Sequence, residues 1–72
     1  MNRIKDILAE KGIKQTWLAE KLGKSFNMVN SYAQNRRQPS LSVLFQIADL
    51  LGVEAKELLV EKDQLDVRNT GK

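Results

Sequence analysis

The sequence predicts an all-α fold, five short helices in one compact domain. Two observations carry this. Apolar residues recur at three- and four-residue spacing, as in Ile4, Ile7, Leu8 and again in Leu44, Ile47, Ala48, Leu51. Helix-ending and helix-starting residues punctuate the chain at Gly12, Gly23, Ser25, Ser40 and Gly52, leaving segments of two to three turns between them. No strand-like alternation runs long enough to compete, and no internal repeat is present.

Each element has its own justification. Helix one runs from about Arg3 to Lys11, with Ile4, Ile7 and Leu8 on one face and Gly12 as its stop. Helix two runs from about Gln15 to Leu22 and turns Leu18, Ala19 and Leu22 inward. Gly23 and Lys24 make a turn, and the Ser25 hydroxyl suits an N-cap for helix three, which continues to about Gln34. Asn35 tolerates a left-handed backbone better than most non-glycine residues. Arg36, Arg37 and Gln38 form a loop, Pro39 fixes the approach to helix four, and Ser40 caps it. Leu41, Leu44, Ile47, Ala48 and Leu51 form the apolar stripe of that helix, which Gly52 ends. A fifth helix is expected from about Glu54 to Val60, carrying Leu58 and Leu59. Residues 1–60 thus make one domain, and residues 61–72 a polar tail that frays unless it docks on a partner.

The segment Gly12–Leu41 is the most informative. Gln15, Ala19, Gly23, Val29 and Tyr32 are spaced for two helices packed closely across a short turn. Ala19 is small enough to let helix three approach, Gly23 can take the positive φ a sharp turn needs, and Val29 and Tyr32 fall on the buried side of helix three. Proteins with this helix-turn-helix arrangement lay the second helix in the DNA major groove.

Composition narrows the field. A chain of 72 residues holds one small domain with a marginal core. It has no cysteine and no histidine, so disulfides, thiolate metal sites and the commonest general base and metal ligand are excluded. No carboxylate pair stands in a recognisable catalytic arrangement. The expectation is a non-enzyme with no cofactor and no metal. The N-terminal MNRIKDILAEKGIK is charged throughout and reads as neither signal peptide nor membrane span, which predicts a cytoplasmic location and no membrane partner. The net charge of +3 is unevenly spread. Residues 1–40 hold eight basic against three acidic side chains, a net +5, while residues 41–72 hold four against six, a net −2. Positive charge gathered beside a reading helix attracts phosphate.

The phrases GIKQ, LAEKLG and RRQPSL, with the order of five helices, resemble the phage repressor and Cro-like helix-turn-helix family, often called the XRE family, over Ile4 to Leu59. The resemblance implies a lambda-repressor-like, five-helix domain that binds operator DNA, usually as a dimer, to control transcription. On a helical wheel at about 100° per residue, Phe26, Asn27, Asn30, Ser31 and Gln34 share one face of helix three, and Met28, Val29, Tyr32 and Ala33 share the other. The first face is the candidate reading face. By resemblance, Phe26, Asn27 and Ser31 match base-contacting positions, and Asn30 joins them from the same face. Amide side chains suit the N7 and N6 edge of adenine, and without Arg or Lys on this face strong guanine recognition is not expected. Phe26 departs from the polar residue common in the family. Its ring either meets thymine methyl groups or folds back against helix two or a neighbouring chain.

By resemblance Gln15 matches a phosphate-binding position at the start of helix two, where the helix dipole favours an anion. Arg36 and Arg37 match the family's basic loop. Lys14, Ser25 and Asn35 complete the expected phosphate contacts. Lys14 and Trp17 stand where the family often has Thr and Glu in a capping box, so this helix start forgoes a cap worth on the order of 1 kcal/mol. A bound phosphate beside Lys14 explains that choice, and tolerated drift explains it equally.

The leading function is therefore a sequence-specific transcriptional regulator, a repressor, that reads an operator in double-stranded DNA with the helix from about Ser25 to Gln34. One reading helix covers few base pairs, so a homodimer on DNA is expected, paired around Val53, Leu58 and Leu59. The alternative is a protein-interaction module of the same fold, such as an antitoxin or anti-regulator subunit, using the acidic half and the tail as its partner surface.

Overall fold

The computed structural model describes residues 1–59. Val60, the expected tail 61–72 and the protein partner assigned to that tail lie outside the described residues. Four α-helices follow in order: α1 at Ile4–Lys11, α2 at Gln15–Leu22, α3 at Phe26–Ala33 and α4 at Leu41–Leu51. A single 3-10 turn at Ala55–Leu58 comes after them. The helix starts read from serines hold: Ser25 Oγ accepts from Met28 N at 3.1 Å and Ser40 Oγ accepts from Val43 N at 3.2 Å. Gly12 and Gly52 end α1 and α4, each in the left-handed conformation.

The fifth helix is where the structure departs from expectation. It is one 3-10 turn, and Leu59 beyond it is extended (φ −108°, ψ 147°). The cause is a non-local pairing. Arg3 N donates to Leu58 O at 2.7 Å, and Leu59 forms an isolated antiparallel bridge with Asn2. The two ends of the described chain close on each other, and a helix continuing past Leu58 would forfeit those bonds.

The core lies between the four helices. Ile4, Leu18, Val29, Ile47 and Leu58 are the largest side chains fully buried in it, joined by Leu44, Ala48 and Leu51. Leu22, expected inside, is half-buried against its edge. Two readings need correction. Leu41 is 65% exposed, not part of the buried stripe. It occupies the first position of α4, and at 100° per residue it lies on the Phe45 side of the stripe, where no other element among the described residues covers it. Leu58 is 0% exposed, so it closes the core and offers nothing to a partner chain. Val53 is half-buried against the same core, which leaves Leu59, 43% exposed, as the surface member of the expected dimer trio.

Candidate nucleic-acid interface

α2 and α3 pack against each other across the Gly23 turn. Gly23 has φ 69°, and Lys24 N donates to Ala19 O at 3.0 Å, closing the end of α2. A Cβ at Gly23 would meet nothing within 4 Å, so the glycine serves the backbone angle and not a tight contact. Ala19, Val29 and Tyr32 are all buried, as the spacing predicts. Val29, Tyr32 and Ala33 anchor one side of α3 in the core.

The opposite side is open. Phe26 and Asn27 are exposed, and Asn30 and Ser31 are half-exposed. An apolar residue among polar ones is the feature of this face that stands out. The Phe26 ring, 47% exposed, borders a shallow groove with Lys5 and Leu8 of α1 and with Lys14 and Gln15 at the start of α2. The ring thus leans toward the first two helices and still shows about half its surface.

The two helix starts beside this face differ. At α3, the Ser25 hydroxyl is occupied as a cap. At α2, Lys14 is extended and exposed and no side chain caps the helix. Its first N–H groups are therefore open to an anion. Gln15 Oε1 is buried without a hydrogen-bond partner among the described residues. Trp17 is 38% exposed, and Lys21 Nζ lies 5.9 Å from its ring centre, within cation–π range.

The far end of α3 carries the basic loop. Arg36 N and Arg37 N both donate to Ser31 O, at 2.9 and 3.3 Å, so the loop turns tightly under the last turn of the helix. Arg37 Nη1 reaches Met28 Sδ at 3.6 Å, and both arginines are exposed. Asn35, expected among the phosphate contacts, has most of its side-chain amide turned to the protein. Its backbone is left-handed (φ 62°), as anticipated, but its amide is engaged within the protein: Oδ1 accepts from Asn2 N at 2.8 Å and Nδ2 donates to Asn2 O at 3.2 Å.

α3 thus presents a polar strip with a cation near each end: Lys14, with the neutral amide of Gln15, beside Phe26, and Arg36 and Arg37 beside Ser31. A helix-turn-helix family model matches residues 4–58, which include this strip and the core beneath it. The chain belongs to the XRE family of helix-turn-helix DNA-binding proteins. A similar solved structure is the crystal structure of a protein from Bacteroides fragilis described as a candidate DNA-binding protein. It is 46% identical, with a TM-score of 0.80, and the match covers 81% of this chain and 94% of that one. A comparison with curated proteins gives no match.

Three residues of the site escaped sequence reasoning. Lys5 borders the Phe26 groove, although its place on an exposed helix face gave no signal. Asn2 and Gln38 contact Asn35, and only the residue type of Asn2, common just before helices, hinted at a role.

Proposed function

We propose that this protein is a sequence-specific transcriptional repressor that reads the major groove of operator DNA with the outer face of α3. The observation that carries the reading is the division of that helix. Its apolar side is sealed in the core, and its polar side stands in solvent between two basic ends. Asn27 and Ser31 choose bases, with Asn30 on the same face, and the amides favour adenine. The exposed half of Phe26 meets thymine methyl groups at the edge of the groove. Lys14, Gln15, Arg36 and Arg37 hold phosphate, with Ser25 at the adjoining helix start.

The DNA-bound form is a homodimer. Two reading helices related by a two-fold axis reach successive major grooves about 34 Å apart. With Leu58 buried, the pairing surface moves to the exposed apolar group Leu41, Phe45 and Leu59. Leu41 and Leu59 border one groove, and Phe45 lies one turn beyond Leu41. A second copy of the chain is its occupant, because isologous pairing supplies the second half-site.

Binding to duplex DNA as salt is raised tests the whole reading. Lys14, Arg36 and Arg37 from two protomers predict a log–log slope of about −5. A slope near zero, with binding retained, would turn the assignment toward a protein-interaction module. Footprinting is expected to show two half-sites, and a single unpaired half-site at saturation overturns the dimer.

A further inference from the structure

The loop that carries Arg36 and Arg37 is not held by its own helix alone. Asn2 lies outside any helix, yet it is 5% exposed, the one polar side chain buried among the described residues. Every polar group it has is used. Oδ1 accepts from Ile4 N at 3.0 Å, which ties it to the start of α1. Nδ2 donates to Tyr32 O at 3.0 Å and to Gln38 Oε1 at 2.9 Å, which ties it to the last turn of α3 and to the end of the basic loop. Its backbone N–H and C=O take the two ends of the Asn35 amide. Gln38 Nε2 closes the ring by donating to Asn35 Oδ1 at 3.1 Å. Three amide side chains thus form one closed network around the left-handed turn that launches Arg36 and Arg37.

The buried amide thus has a partner for each N–H and for its oxygen, and a fully paired network of this kind rigidifies the segments it joins. The network adds side-chain bonds between three segments: the start of α1, the end of α3 and the loop before α4. A loop held only by its bonds to Ser31 would keep more freedom, and that freedom would be lost, at a cost in affinity, when its arginines meet phosphate.

We propose that Asn2, Asn35 and Gln38 are positioning residues for DNA binding: their amide clasp fixes the Arg36–Arg37 loop relative to the reading face, so that both arginines meet phosphate while α3 is in register with the bases. This rests on the DNA-binding reading above. None of the three touches DNA through its side-chain amide. They act through the arginines, by holding the loop that carries them.

The test is the salt dependence of duplex binding by the full chain, measured well below the melting temperature. Asn35→Gly suits the left-handed backbone at that position and removes the amide, and Gln38→Ala removes two of the bonds from an exposed residue. Ile7→Val, which trims the core and leaves the clasp untouched, is the control for stability. A change in stability alone shifts the folded fraction and leaves the phosphate count of each folded complex unchanged, so Ile7→Val keeps the wild-type slope. Asn35→Gly is expected to flatten the slope by about one to two units per protomer, since each lost phosphate contact removes about 0.9. In a background of Arg36→Ala with Arg37→Ala, Asn35→Gly should add nothing further. A wild-type slope in both clasp variants, or an additive effect in the arginine-free background, overturns the proposal. A wild-type protein whose binding ignores salt instead overturns the DNA reading beneath it, and the two failures are told apart by the wild-type curve alone.

Discussion

The two sides of α3 share eight residues of backbone and divide their work. Val29, Tyr32 and Ala33 are 0–5% exposed and lock the helix to α2 and the core. Phe26 and Asn27 stand in solvent, and Asn30 and Ser31 half so. The inner side has shape to satisfy and the outer side has chemistry to offer. Because the same rigid helix bears both, the outer residues can vary without disturbing the fold. The inner residues fix the geometry in which the outer ones are read.

Substitutions can break or sharpen this comparison. The largest effect is expected inside. Leu44→Ala, beneath the helix-turn-helix in the shared core, should cost about 2–5 kcal/mol in unfolding free energy. It should leave base preference untouched in whatever protein remains folded. A cost below about 1 kcal/mol in a denaturant titration contradicts the α4 register. Next comes the outer face. Asn27→Ala should lose about 1–3 kcal/mol of discrimination at one base pair. Its stability should stay within about 0.5 kcal/mol of wild type. Competition binding against single-base operator variants reads the first quantity and thermal melts read the second. If Asn27→Ala destabilises the fold and keeps the preference, the two sides are not separate.

Arg36→Ala sharpens the contrast between positioning and reading. It should weaken binding to all sequences alike and lower the salt slope by about one per protomer. Altered sequence preference with an intact slope would move Arg36 from the phosphate group to the reading group. The smallest effect concerns the start of α2. Lys14→Thr with Trp17→Glu should rebuild a capping box and raise stability by on the order of 1 kcal/mol. It should also weaken DNA binding, because a cation leaves and a carboxylate arrives beside the proposed phosphate site. Higher stability with unchanged affinity makes Lys14 mere drift. Lower stability means that the stacking of Trp17 with Lys21 outweighs the cap.

The residues that were legible in the sequence act locally. Ser25 and Ser40 cap the helices that follow them, Gly12, Gly23 and Gly52 take the left-handed angle at helix ends, and the 3.6-residue period picks out Val29 and Tyr32. What was hidden depends on residues far apart in the chain. Leu58 and Leu59 were expected on a short helix from about Glu54 to Val60. The structure buries the first and pairs the second with Asn2, a contact no local pattern encodes. Asn35 showed its backbone angle in advance, but not that its amide would be spent on Asn2. Leu41 looked like core because it is leucine at an end of the right stripe, and it is exposed because no other element among the described residues reaches over it. At the candidate site, the polar face of α3 was readable from the wheel, while Lys5 and the clasp required the packing of α1.

The most direct measurement is selection of binding sites from a random duplex pool, run in parallel with wild type and with the Asn27→Ala, Ser31→Ala double variant. The wild-type protein should enrich two half-sites related by a two-fold axis, with defined bases at the positions facing Asn27 and Ser31. The double variant should melt at the same temperature and keep the same salt slope, yet return those positions degenerate. If it enriches the wild-type sequence unchanged, the outer face of α3 does not read DNA and the account fails.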